Sequence, residues 1–322
     1  GGTTFGAVKE PGGLWQVDKL TGITVEGLGM AVLGGKQVVG VMRYTKFNDK
    51  QDNALLFAAW EAGKWQDFLP VGKDVLSRGQ PALTALKGIG YLGYIGMDYK
   101  HYYVQRAAGV WSAAQAMGKA HAYGPSAPGF AAVGGALWGT WPDGAAGNQV
   151  AVNSLGVGSW GAPQHVGDKT DTTLSPTLVG ASDGLEALVI WVRSDGQVMA
   201  SPKSAGKWLA AEVVKDAWSK TRVAAAVTPA GAVQLAFRGT DGKLYGVQRA
   251  GGKWQAPAGV GKAAPNAVTS PALCRGIEGN EAEVAWVDGS GAVWHGRLNK
   301  GSWSSPVQVG KGATHVAMVA GP

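Results

Sequence analysis

Several residue types and patterns that commonly define enzymes and small secreted domains are scarce or missing. One cysteine, Cys274, stands among 322 residues, so no internal disulfide framework is possible. Flanked by PAL and RGIEG after a strand-like run, it reads as a small buried hydrophobe. The five histidines, His101, His121, His165, His295 and His315, are far apart and form no His-x-His or His-Glu-x-x-His. That spacing excludes the usual zinc motifs. Calcium loops of the Asp-x-Asp-x-Asp-Gly kind, a P-loop and a nucleophile elbow are also missing, and no cofactor or metal is expected. No segment approaches 18 consecutive apolar residues, so no membrane-spanning helix is expected. Charged residues make up only 16% of the chain, and no long stretch shows an apolar period of 3.6 residues.

Glycine is abundant. Fifty-two glycines are too many for a helical protein, and without a Gly-X-Y period they exclude collagen. They suit short strands joined by tight turns. The formal charge is +7 with a pI of 9.4. Its lysines and arginines are dispersed, many of them single in turns (Lys64, Lys207, Lys253, Lys300). This pattern gives a mild bias toward anionic surfaces and argues against nucleic acid as the partner. The sequence opens at Gly1-Gly2 with neither a signal peptide nor an initiator methionine, as a processed or trimmed chain would.

The chain repeats itself. Tryptophan recurs at Trp15, Trp65, Trp111, Trp160, Trp208, Trp254 and Trp303, with spacings of 50, 46, 49, 48, 46 and 49 residues. Each is preceded by glycine within one or two residues, as in AGKW, GSW and GGKW. The unit is clearest in QLAFRGTDGKLYGVQRAGGKWQAPAGVG, which reads as two alternating strands around Asp241-Gly242 followed by a Trp-led strand. A sevenfold, all-strand repeat of 46–50 residues predicts a single β-propeller domain over residues 1–322. Its units end near 22, 72, 118, 167, 215, 261 and 310. Each predicts a four-stranded antiparallel blade, with Asp-Gly or Ser-Gly turns at 195–196, 241–242 and 290–291. The expected architecture is therefore all-β and seven-bladed, the last blade assembled from N- and C-terminal strands. Six blades and a remnant is the alternative.

A tryptophan at one fixed place in every unit most simply fills the gap between blades, so Trp254→Ala should cost about 3–5 kcal/mol. Residues that depart from the repeat are better candidates for function, among them Trp60, Trp138, Trp141, Trp191, Trp218, Trp286 and Trp294. Nine residues before the Gly-x-Trp tryptophans lie Tyr102, Tyr245 and Trp294; four before the turn Asp or Ser lie Trp191, Phe237 and Trp286. Beside them stand Arg43, Arg193, Arg238, Asp241 and Asp288, with Trp141 next to Asp143 in the third unit. An aromatic face can stack on the apolar side of a pyranose while an Arg fork or a carboxylate takes its hydroxyls. The competing reading is that these aromatics are blade packing. If Arg238 binds sugar, Arg238→Ala should weaken binding with stability nearly unchanged.

The repeat AVQLAFRGTDGKLYGVQRAGGKWQAPAGVG, with Ser-Pro opening the following unit, resembles that of bacterial and fungal propeller lectins, the six-bladed Aleuria type and the seven-bladed Photorhabdus type. The resemblance implies shallow sites between adjacent blades in which aromatics and Arg or acidic partners hold fucose or related sugars. This chain keeps Arg-x-x-Asp-Gly only at Arg238, Asp241 and Gly242; the unit with Arg193 and Asp195-Gly196 shifts the Arg by one. The implied function is a multivalent carbohydrate-binding lectin or adhesin, secreted or at the cell surface, with fucosylated or anionic glycans as partners. A propeller scaffold for a protein partner, or a sialidase-like glycan-cleaving enzyme, is the alternative. A sialidase should carry Ser-x-Asp-x-Gly-x-Thr-Trp boxes, and none is present, so no catalytic residue is expected.

Overall fold

The computed structural model describes residues 4–9, 15–21, 25–33, 37–44, 53–117, 126–156, 158–167, 171–180, 185–261 and 264–320. From residue 25 onward they form six antiparallel blades in simple up-and-down order, each a path of four strands, with a further short strand paired to the third strand in five of them. The first blade comprises Val25–Leu33, Gln37–Tyr44, Ala54–Glu61 and Lys64–Trp65; the second Ala82–Leu86, Ile89–Ile95, His101–Ala107 and Val110–Trp111. The third comprises Gly129–Val133, Ala136–Asp143, Gln149–Leu155 and Gln164–His165; the fourth Thr177–Gly180, Ala187–Val192, Gln197–Ser204 and Lys207–Trp208. The fifth comprises Ala224–Val227, Val233–Arg238, Leu244–Ala250 and Lys253–Trp254; the sixth Ala272–Arg275, Ala282–Val287, Val293–Asn299 and Ser302–Trp303.

Local chemistry explains the elements. Second strands are sandwiched between neighbouring blades and are buried on both faces: all six residues of Ala187–Val192 are buried and apolar, and all six of Ala282–Val287 are buried, Glu283 among them. The hairpin glycines take the left-handed conformation their turns require, with φ of 96° at Gly196, 84° at Gly242 and 80° at Gly291. Their carbonyls have a second use. The linker entering the next blade donates a backbone N–H to each, Ser219 to Gly196 at 2.8 Å, Ala267 to Gly242 at 2.9 Å and Ala313 to Gly291 at 3.0 Å. Asn53 and Asn148, left-handed at 76° and 63°, take the N–H of Ser77 and Thr172 in the same way.

Apolar clusters lie between blades rather than within them. Leu188, Ile190 and Val192 of the fourth blade pack with Leu235, Phe237 and Val247 of the fifth, and Ala236 and Leu244 of the fifth with Val284 and Trp286 of the sixth. The repeated tryptophans bridge the same gaps. Trp111 meets Phe57 of the preceding blade edge-on at 5.6 Å, Trp160 meets Tyr103 at 5.7 Å and Trp208 meets Trp138 at 6.0 Å. The Trp254 indole donates to Glu212 of the fourth blade at 2.8 Å, and Arg249 joins the same carboxylate at 3.0 Å. Their role as spacers follows directly.

The first strands of consecutive blades touch in order around a central channel. Small residues are needed there: a Cβ on Gly29 would stand 3.1 Å from the Pro81 carbonyl oxygen of the next blade. Seven segments line the channel, the six blade openings and residues 315–318. The expectation of seven full blades requires correction. Thr4–Lys9 and Trp15–Thr21 form a separate two-stranded sheet, and residues 311–320 contain no strand. The termini supply one ladder and one extended segment, with no second strand among the described residues to hydrogen-bond them together.

Candidate functional site

Side chains alternate across a strand, so adjacent residues serve different inter-blade grooves. This rule divides the group Phe237, Arg238, Asp241 and Tyr245. Phe237 and Tyr245 are partners across the fifth blade, stack at 5.7 Å with an interplanar angle of 21°, and face the fourth blade within its shared core. Arg238 points to the other side, where its Nε donates to the Ala267 carbonyl at 2.6 Å on the linker into the sixth blade. Sequence neighbours are therefore not site neighbours.

The groove between the fifth and sixth blades collects a different set. Ala267, which accepts from Arg238, bridges to Asp288 of the sixth blade. Asp288 Oδ2 accepts from the Trp294 indole at 2.8 Å. Its Oδ1 takes the Ser290 N–H at 2.8 Å, the Ser290 hydroxyl at 2.7 Å and the Ala292 N–H at 3.0 Å. Arg238 from one blade, and Trp294 with Asp288 from the next, are thus tied to one linker residue. The terminal guanidinium nitrogens of Arg238 have no hydrogen-bond partner among the described residues, and Trp294 is half-buried. A positioned Arg fork beside an indole can engage a polyol.

The groove between the first and second blades repeats this plan by register. Arg43 pairs with Leu55 as Arg238 pairs with Leu244; its side chain lies outside what is described. From the second blade come Tyr102 and Asp98, with the Tyr102 hydroxyl donating to Asp98 at 2.8 Å, as Tyr245 donates to Asp241 at 2.8 Å in the fourth–fifth groove.

Other sequence candidates have different roles. Trp141, Trp191, Phe237 and Trp286 are at most 2% exposed and offer no stacking face: their place on the second strand, between two blades, makes them core. Arg193 is bound by Asp195, with Nε at 3.0 Å. That ion pair raises the guanidinium pKa and holds Asp195 below the usual carboxylate range. Trp218, one of the tryptophans outside the sevenfold pattern, is 43% exposed and lies against Gly196. Only its departure from the repeat marked it in the sequence.

The remaining titratable groups suit structure better than chemistry. Burial pushes the Cys274 thiol up to about 12, with Glu283 adding to the effect, which makes it a poor nucleophile. Glu283 and His295 form a buried pair at 2.8 Å. Among the described residues, no group of three His, Cys, Asp or Glu side chains could hold a metal ion. No helix there is long and apolar enough to cross a membrane.

The turn aspartates make stability pH-dependent. Asp288 is lowered to about 2, first by the Ser290 hydroxyl and then, against opposing burial, by Trp294 and the turn N–H groups. For Asp241, burial raises and the Tyr245 hydroxyl and Lys243 N–H lower the pKa, with a net decrease. The folded form therefore favours the ionised carboxylate. The stabilisation is complete above the unfolded value of about 3.9 and lost as pH falls toward 2. Asp288→Asn is expected to lower the urea midpoint at pH 7, with the gap to the parent protein closing by pH 2. An equal gap at both pH values would contradict this account.

No protein-family model matches the chain, and no curated protein matches it. Solved structures do. The BP39L lectin from Burkholderia pseudomallei aligns with a TM-score of 0.73 at 16% identity, covering 90% of this chain and 88% of that one. AofleA from Arthrobotrys oligospora aligns at 0.64 and 11%, covering 92% and 91%. The fucose-specific lectin from Aleuria aurantia aligns at 0.56 and 12%, covering 90% and 97%. The chain is similar in fold to these β-propeller proteins.

Proposed function

We propose that this protein is a carbohydrate-binding lectin and not an enzyme, holding glycans in shallow grooves between its blades. The observation that carries the reading is the groove between the fifth and sixth blades, where Arg238 is clipped at Nε and its terminal nitrogens have no partner among the described residues. The half-buried Trp294 ring, fixed through Asp288, belongs to the same groove. The shared fold with a fucose-specific lectin supports fucosylated glycans as the first ligands to test. The net charge of +7 is compatible with anionic ones. Repetition of the plan at Arg43 and Tyr102 supports multivalent binding, which raises avidity by about 10²–10⁴ where geometry allows. Such a ring suits an adhesin, secreted or displayed at a cell surface.

The ring is also read as having seven places. In support, Ala313 is held by Gly291 as other linkers are held by their hairpins, residues 315–318 line the channel beside six first strands, and Trp15 keeps the repeat spacing.

Titration with methyl α-fucoside and a glycan array test the lectin reading. Arg238→Ala is expected to weaken sugar binding at least about tenfold, the loss of a charge-assisted hydrogen bond worth roughly 1.5–3 kcal/mol. The clip to Ala267 alters the expectation of unchanged stability: the same substitution should cost about 1 kcal/mol. A folded protein that binds no glycan would overturn the proposal.

A further inference from the structure

The channel on the ring axis has an unbalanced charge. It holds a cavity of about 630 Å³ whose lining, among the described residues, includes Lys220, Arg222 and His315 but no aspartate or glutamate. Arg222 also departs from the local pattern. Three residues after the linker N–H that clips each hairpin, the second blade has Gln80 and the fourth Ser175. Gln80 donates to the Leu28 carbonyl at 2.9 Å and Ser175 to the Ala127 carbonyl at 2.7 Å, each on the preceding blade. Arg222 holds the corresponding place in the fifth blade, three residues after Ser219. No hydrogen bond or ion pair joins its side chain to any described residue.

Arg222 is half-buried, and a guanidinium in a confined channel with no counter-charge among the described residues is held at a cost. The cost is visible in Arg222, whose pKa burial lowers to about 10. Charges in such places are ordinarily paired, and the described residues supply no partner. Lys220 adds positive charge, and the hydroxyls of Thr221, Thr269 and Ser270 belong to the same lining.

We propose that the channel is a binding site for a small oxyanion, a tetrahedral sulfate or phosphate group or a carboxylate, held by the Arg222 fork with Lys220 in support. This site is separate from the inter-blade grooves, and its occupancy does not depend on their binding sugar. Planar bidentate donation is what an arginine offers such a group and a lysine does not.

Calorimetric titration of the full chain with sodium sulfate, sodium phosphate and sodium acetate tests the proposal, with sodium chloride at matched ionic strength as the reference. Arg222→Ser places in the fifth blade the residue found at Ser175 and Ser270, and so should preserve the fold. Saturable binding of at least one oxyanion by the parent protein is expected, weakened at least tenfold in Arg222→Ser and unchanged in Lys253→Gln, an exposed residue at the start of the fifth blade's outer strand. The acetate arm separates carboxylates from tetrahedral anions. Thermal melts provide the second readout: sulfate stabilises proteins generally, so the expected signal is a larger rise in Tm over chloride for the parent than for Arg222→Ser. Equal affinities in the two proteins, or equal melting shifts, would overturn the site. Fucoside titration of Arg222→Ser is expected to match the parent, which keeps failure here distinct from failure of the lectin reading.

Discussion

Truncation of Trp160 to alanine is expected to destabilise the protein by about 3–5 kcal/mol, the range for removing a buried aromatic side chain. The residue is 7% exposed. Its ring meets Tyr103 of the second blade at 5.7 Å and Phe130 of its own blade at 5.7 Å, and approaches Gly139 closely enough that a Cβ there would lie 3.2 Å away. Removing it opens a cavity between two blades, which can collapse only if the blades shift. Urea unfolding followed by tryptophan fluorescence should show a lower midpoint with little change in slope. Trp254→Ala should cost less, about 3 kcal/mol, because Trp254 is only partly buried and Arg249 keeps Glu212 paired after the indole is gone. If Trp160→Ala left the midpoint unchanged, the repeated tryptophans would not be the spacers that order the ring.

Gly129→Ala is expected to destabilise by about 1–3 kcal/mol, the cost of overpacking a dense interior. The added Cβ would lie 2.4 Å from the Pro176 carbonyl oxygen and 3.2 Å from Thr140 Cγ2. The first of these is backbone of the neighbouring blade and cannot rotate away. It adjoins Thr177, whose hydroxyl donates to the Val223 carbonyl at 2.6 Å, so moving it disturbs the next inter-blade contact as well. Alanine also lowers the entropy of the unfolded chain, a gain of about 0.4–1 kcal/mol, but a 2.4 Å contact with a carbonyl oxygen outweighs it. Gly180→Ala is the control. Its Cβ would meet nothing closer than 4.0 Å, so that variant should be neutral or slightly stabilised. Opposite signs for the two in thermal melts would place the crowding at the channel wall; matched effects would remove it.

Much of the fold was legible because its determinants are local and repeated. Gly-x-Trp positions, alternating strands and tight glycine turns specify a blade at six of their seven occurrences; at Trp15 they give a two-stranded sheet instead. The hairpin at Asp241-Gly242 needs only a residue free to take φ of 84°. Binding chemistry was less legible. Phe237, Arg238 and Tyr245 are close in sequence, yet the pleat sends Arg238 into one groove and the two rings into another. Trp141, Trp191 and Trp286 share the aromatic-plus-polar signature of a sugar platform but sit on second strands, where blades on both sides exclude a ligand. Position within a blade, more than residue type, separates a platform from core.

The sequence by itself determined the repeating four-stranded unit, the spacer tryptophans and the propeller built from them, since short-range patterning acts within each unit. Tertiary structure alone decided which side chains share a groove, as Arg238 does with Trp294 and Asp288. It also decided how many blades complete their sheets and that Arg222 stands in the channel with no counter-charge among the described residues. Those outcomes depend on the packing of one blade face against the next, and distances across that gap are encoded in no single unit.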